Sequence, residues 1–227
     1  MQTEQEIQDF AKAIIQFTDS YTQNKQGKHN EQPESESVPS LTNITSSLQL
    51  LSKQIWNNNA CKSVTKIPKL LQSLSALTIF KLGTHIDLDV DQQRLEVRYT
   101  SRLCLYWIQV YGDKQVQTEL VNVEYGRMMS ISFCTAGGQG EEQDQEIRNG
   151  LVPIYFFLRD LHEGRNAYQP YFQPLPLLAR RSEEQIEEEG VNEEIEAQMK
   201  NSVLDGHIKN WAKKAKATAL NRFIYQD

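Results

Sequence analysis

Between Thr84 and Cys134 apolar residues recur at every second position, and this spacing sets the architecture to expect. Ile86, Leu88 and Val90 alternate with His85, Asp87 and Asp89; after Asp91-Gln92-Gln93, Leu95, Val97 and Tyr99 alternate with Arg94, Glu96 and Arg98. A period of two places apolar side chains on one face of a half-buried strand. The run Leu103-Cys104-Leu105-Tyr106-Trp107-Ile108 is continuously apolar, as a central strand covered on both faces would be. After Gly112-Asp113-Lys114, the sets Val121, Val123, Tyr125 and Met129, Ile131, Phe133 alternate again. The expected fold is α+β: an antiparallel meander of four to five strands flanked by N- and C-terminal amphipathic helices.

The flanks read as helix or linker. Ile7, Phe10, Ala11, Ile14, Phe17 and Tyr21 form one stripe of a helix over 4–23. That stripe is buried against the chain's own core, a neighbouring helix, or a partner. Residues 25–40 hold Gly27, Pro33 and Pro39 among polar residues, and such a segment buries too little apolar area to offset its ordering entropy. Leu41, Ile44, Leu48, Leu51 and Ile55 predict a second helix ending near Trp56. A third is expected from about Thr65, with Pro68 in its first turn and Leu70, Leu71, Leu74 and Leu77 facing inward.

Beyond the alternating region, Ala136-Gly137-Gly138-Gln139-Gly140 reads as a loop. No Gly-Lys-Ser/Thr follows, and Glu141, Glu142 and Asp144 would repel an anion. Pro153 is expected to open a helix that Gly164 ends, packed across the sheet. Tyr168 to Pro176 sets three prolines among Tyr168, Tyr171 and Phe172, as an extended strap over the core or a docking segment. Ser182-Glu183-Glu184-Gln185 has the form of a capping box. Gly190 interrupts that helix, Asn192 caps a longer one over 192–225, and Gly206 kinks it. From Glu183 to Glu196 there are eight acidic residues and no basic one; from Lys209 to Arg222 there are five basic residues and no acidic one.

The four expected parts are an N-terminal amphipathic helix over 1–24, a flexible linker over 25–40, an α+β core over 41–178, and a charge-segregated helical extension over 179–227. Hydrophobic residues make up 39% of the 227, enough for a sizeable core. The net charge of −6 argues against a chain that coats nucleic acid. No run approaches the roughly 20 apolar residues of a membrane span. The acidic N-terminus lacks the order of a secretory signal, and Cys61, Cys104 and Cys134 have no metal-ligand spacing. An intracellular location, cytoplasmic or nuclear, is expected.

No catalytic, cofactor or metal motif is present. His85, Asp87 and Asp89 would share one strand face, a small acid-base or metal cluster or simply a solvated polar face. His29 lies in the linker, His162 with Asp160 and Glu163 ends a helix, where a cation is favourable anyway, and His207 has no spaced partner. Cys61, before Lys62, is the thiol expected to be most exposed. An enzymatic or ligand pocket would lie between the sheet and the 153–163 helix, lined by Tyr106, Trp107, Tyr155 and Phe156. The apolar stripes at both ends exceed what a small sheet can cover. The leading expectation is therefore a non-catalytic interaction subunit, a scaffold or adaptor in an intracellular complex. Its partners are other protein subunits, met through Ile7, Phe10, Ile14, Phe17, Tyr171, Phe172, Trp211 and Phe223. Lys209, Lys213, Lys214 and Lys216 are candidates for an anionic partner, including a weak nucleic-acid contact in a nuclear factor.

Overall fold

In a computed structural model, which describes residues 2–26, 38–58, 60–84, 86–136, 144–168, 170–200 and 206–220, the regular elements are helices. There is no strand among the described residues, only an isolated antiparallel bridge between Arg165 and Phe172. The chain divides into two compact units, Met1–Glu119 and Leu120–Asp227. The α+β meander is overturned: residues 88–136 form α5 (Leu88–Tyr111), α6 (Lys114–Asn122) and α7 (Tyr125–Ala136).

The reason lies in which residues of α5 turn inward. Its buried positions include Val90, Arg94, Val97, Arg98, Ser101, Arg102, Cys104, Leu105 and Ile108, which follow the three- and four-residue steps of a helix. Three of them are arginines. Meanwhile Leu88, placed on the core face by the alternation, is 84% exposed, and Ile86 and Tyr99 are exposed too. Asp87 caps the helix by accepting a hydrogen bond from the Val90 amide at 2.9 Å. The later alternation at Val121, Val123 and Tyr125 is a break between two helices. Glu124, at φ 58°, turns the chain from α6 into α7.

The first unit also holds α1 (Gln2–Gln26), α2 (Val38–Asn58), α3 (Cys61–Thr65) and α4 (Leu70–Leu77). The expected stripe of α2, Leu41, Ile44, Leu48, Leu51 and Ile55, is buried throughout. It packs along α5, and the two helices run in the same direction: Cys104 Sγ donates to the Leu48 carbonyl at 3.3 Å, and Trp56 meets Trp107 further on. α1 lies on α2 and α4, burying Ile7, Ala11, Ile14 and Tyr21. Pro68 sits in the turn between α3 and α4 rather than in a helix's first turn. Residues 27–37 of the expected linker lie outside the described residues, and α1 and α2 extend to its edges.

The second unit holds α7, α8 (Asp144–Glu163), α9 (Pro176–Glu187), α10 (Val191–Lys200) and α11 (Gly206–Leu220). α8 is central and packs on α7, α9 and α11. Tyr125 meets Phe157 edge to face at 4.8 Å among Ile154, Leu158, Leu161, Ala179 and Ile186. α8 begins well before Pro153, which therefore lies inside it instead of opening it. Gly164 ends it at φ +73°. The segment 164–175 folds back: the Arg165 amide donates to the Phe172 carbonyl at 2.8 Å, and the Leu175 amide to the Leu161 carbonyl at 2.7 Å.

Pro176 begins α9, where its missing N–H costs nothing, so Ser182 is a buried mid-helix residue and not a cap. Gly190, at φ +71°, separates α9 from α10, and Asn192 is already inside α10. The expected single helix over 192–225 is two: α10 ends at Lys200, and Gly206 opens α11. The glycine-rich loop from Gly137 to Gly140 lies outside the described residues. No described helix is long and apolar enough to cross a membrane.

Candidate interaction surface

The most distinctive surface of the first unit is an aromatic ledge along α2 and α5. Trp107 and Tyr111 stand one helical turn apart on α5, their rings nearly parallel at 17° with centroids 5.8 Å apart. Trp56 of α2 continues the row on Trp107, at 6.0 Å and 25°. Tyr106 leans on Trp107 at 4.9 Å. Trp56 is 55% exposed, and the other three are half-buried. Leu50 and Tyr99, both exposed, lie further toward the N-terminal ends of the same two helices.

The ledge follows from the helical period. Cys104, Leu105 and Ile108 take the inward face of α5, so Tyr106, Trp107 and Tyr111 fall on its flank. An ion pair closes the C-terminal end of the row: Lys62 Nζ reaches Asp113 Oδ2 at 3.0 Å. Partial burial opposes ionisation of Asp113, but Lys62 and the Val116 and Gln115 amides outweigh it and hold the carboxyl below its ordinary pKa. Stacked, wet-edged aromatic surface of this kind is what interfaces concentrate.

The residues expected to bind partners are dispersed. Ile7 and Ile14 are buried in the first unit's own core, while Phe10 and Phe17 are half-buried, with Phe17 5.5 Å from Phe80. In the strap, Tyr171 is 57% exposed, whereas Phe172 is buried under the Arg165 guanidinium, 4.8 Å from its ring. Trp211 is half-buried against Tyr155 and Phe156 at 5.6 and 5.8 Å, with Lys214 Nζ 4.5 Å from its ring. Lys213 and Lys214 are exposed, Lys209 is half-buried, and Lys216 is held by Glu196 at 2.6 Å. Phe223 lies outside the described residues. Tyr106 and Trp107 belong to one unit and Tyr155 and Phe156 to the other, and among the described residues there is no sheet to roof a pocket over them.

His85 and His29 lie outside the described residues, as does the side chain of His207. Asp87 is the cap of α5, and Asp89 sits in its first turn, where negative charge suits the helix dipole. Cys61, expected to be exposed, is buried, with Sγ 3.3 Å from the Ile108 carbonyl. The turn into α3 points it at the core and leaves Lys62 outside. Burial pushes the Cys104 thiol up to about 12. Burial, with Glu194, Glu189 and Glu193, pushes Cys134 up to about 11. Among the described residues no group of three or more His, Cys, Asp or Glu side chains converges to hold a metal ion.

Sequence reasoning missed the charged node of the second unit. Asp160, almost fully buried, accepts from Arg165 Nε and Nη2 at 3.1 and 2.8 Å, from Arg159 Nη2 at 2.7 Å, and from the Tyr168 hydroxyl at 3.2 Å. The node ties α8 to the strap. Its signal was an Asp followed five residues later by Arg across a helix-ending glycine, too common a pattern to single out.

No family model matches the chain, and no curated protein or solved structure does either.

Proposed function

We propose that the chain is a non-catalytic protein-interaction subunit, a scaffold or adaptor working inside the cell as part of a multiprotein assembly. The observation that carries this reading is the ledge of Trp56, Trp107 and Tyr111. It presents rigid, amphipathic ring surface on a packed pair of helices, with Trp56 more than half exposed. Tryptophan and tyrosine on such a support make strong binding anchors because little side-chain entropy is lost when a partner covers them. The location of the surface differs from the terminal helices that the sequence favoured, but the class of function is the same.

The test compares three tagged forms: the unaltered chain, Trp56→Ala, and Leu177→Ala, which removes another exposed apolar side chain from the second unit. A partner retained by the first and third but weakened by about 30-fold or more in Trp56→Ala supports the reading, since an anchor is worth about 2 kcal/mol or more. Identical partner sets and affinities for all three forms would refute it.

A further inference from the structure

We propose that α5 pairs with α5 of a second copy of this chain, antiparallel, across a two-fold axis at Tyr99. This pairing goes beyond the function proposed above and does not rest on it. The starting point is an inversion within α5: its inward face holds Arg94, Arg98 and Arg102, whereas its outward face is mostly apolar. Leu88, Gln92, Leu95, Tyr99, Leu103, Tyr106 and Val110 follow one another at steps of four, three, four, four, three and four residues, so they form one straight stripe along the helix. Gln92 alone among them is fully polar. Leu88 is 84% exposed and Tyr99 36%, Gln92 is exposed, and the other four are half-buried. The first unit holds α5 from the opposite side. Cys104 meets Leu48 of α2, Ile108 meets Cys61 of α3, and Arg98 meets Phe80 after α4. A continuous apolar stripe turned outward along a whole helix is the mark of an association surface.

The symmetry of the stripe points to a second copy as its occupant. The order of its steps reads the same from either end. Turned about Tyr99, it sets Leu88 level with Val110 of the second copy, Leu95 level with Leu103, and Tyr99 against Tyr99. Gln92 comes level with Tyr106, whose hydroxyl can bond to its amide. The two ends are complementary in charge as well. Exposed Asp89 lies in the first turn of α5, and exposed Lys114 lies just past its last residue. Antiparallel pairing brings the acidic start of one α5 beside the basic exit of the other and sets the two helix dipoles head to tail. The chain's own segment 27–37 has Pro33 as its one non-polar side chain, so it offers the stripe no apolar cover. One helix face makes a small interface, so the pairing is reversible and depends on concentration.

The test uses the full chain in sedimentation velocity over a range of concentrations. The unaltered chain is expected to pass from monomer to dimer as concentration rises, and to do so at about 0.5 M salt too, because the seam is mainly apolar. Tyr99→Glu and Tyr99→Lys each set two like charges against one another on the axis, and each should weaken self-association at least about tenfold. An equimolar mixture of the two should recover the dimer, because glutamate then meets lysine. That rescue is specific to a residue that faces its own copy. Both replacements are good helix formers at an outward position, so helical circular dichroism should be unchanged. Leu88→Glu alters a side chain that the fold leaves 84% exposed, and it should weaken the dimer without touching the core. Leu177→Ala, at an equally exposed leucine of the second unit, should leave the dimer as it is. A chain monomeric at every concentration, Tyr99 and Leu88 variants that associate as the unaltered chain does, a mixture that stays monomeric, or a dimer lost in Leu177→Ala would each overturn the proposal.

Discussion

Arg98 donates from Nη1 to the carbonyl of Phe80 at 3.2 Å, placing a buried cation on the backbone just beyond the end of α4. Arg94, one turn earlier on α5, reaches the Thr84 carbonyl at 3.2 Å in the same way. Burying a cation is costly, and carbonyls left open where a helix ends are its natural complement. The arginines of α5 therefore hold the turn that carries the chain from α4 to α5.

Replacing Arg98 with alanine should destabilise the first unit by about 2–4 kcal/mol, from an open cavity plus an unpaired carbonyl. Arg98→Met, which restores most of the volume, should recover part of that loss but not the hydrogen bond. Urea denaturation of the three forms measures both steps. Equal stability of Arg98→Ala and the unaltered chain would mean that the guanidinium contributes nothing net.

The same arginines explain which parts of the fold were legible. In α2 the inward face from Leu41 to Ile55 is apolar apart from Thr45 and Ser52, so hydropathy alone recovers the helix. In α5 the inward face carries Arg94, Arg98, Ser101, Arg102 and Gln109, while Leu88 points to solvent. Hydropathy assigns those polar residues outward, and what is left over alternates like a strand. Period 3.6 appears only when the arginines are counted as inward, and that requires knowing that the carbonyls after α4 lie opposite them. The aromatic ledge was hidden for the same reason. Trp107 and Tyr111 share a face only once α5 is a helix, and Trp56 joins them only through the packing of α2 on α5.

The Asp160 node predicts a second large effect. Asp160→Asn keeps the shape but removes the charge that neutralises Arg165, itself almost fully buried, and half-buried Arg159. Breaking one side of a buried pair typically costs about 3–5 kcal/mol. The loss should appear in the second unit, which Trp211 reports by fluorescence once Trp56 and Trp107 are replaced by phenylalanine. A midpoint unchanged in that background would contradict a structural role for the node.

The cysteines should resist alkylation until the chain unfolds. At pH 8 a free thiol of ordinary pKa is about a quarter thiolate. Cys134, raised to about 11, would be roughly a thousandth thiolate, and Cys104, raised to about 12, less still. Because the folded-state values are raised, the stability linked to these thiols is full below their unfolded pKa, near 8.5, and declines as pH climbs toward the folded values. Mass spectrometry after timed iodoacetamide treatment should find both unmodified in the native chain and both modified in urea. Rapid native labelling of Cys104 would show that the α2–α5 seam opens.

Gly164 offers the most local test, because two separate constraints meet there. Its φ of +73° is a conformation that side chains with a Cβ rarely adopt. An added Cβ would also lie 2.6 Å from the Phe172 carbonyl oxygen and 2.9 Å from the Pro174 nitrogen, both backbone atoms with little freedom to move. Gly164→Ala should therefore destabilise the second unit by more than the roughly 1 kcal/mol of a left-handed alanine alone, to about 2–3 kcal/mol. The clash falls on the segment that pairs Arg165 with Phe172, so amide hydrogen exchange at Arg165 and Phe172 should accelerate before exchange in α8 does. Gly83, at φ +71° with open space where its Cβ would go, is the control: Gly83→Ala carries only the backbone strain and should cost about 1 kcal/mol. If the two substitutions cost the same, the strap does not press on Gly164 as the distances require.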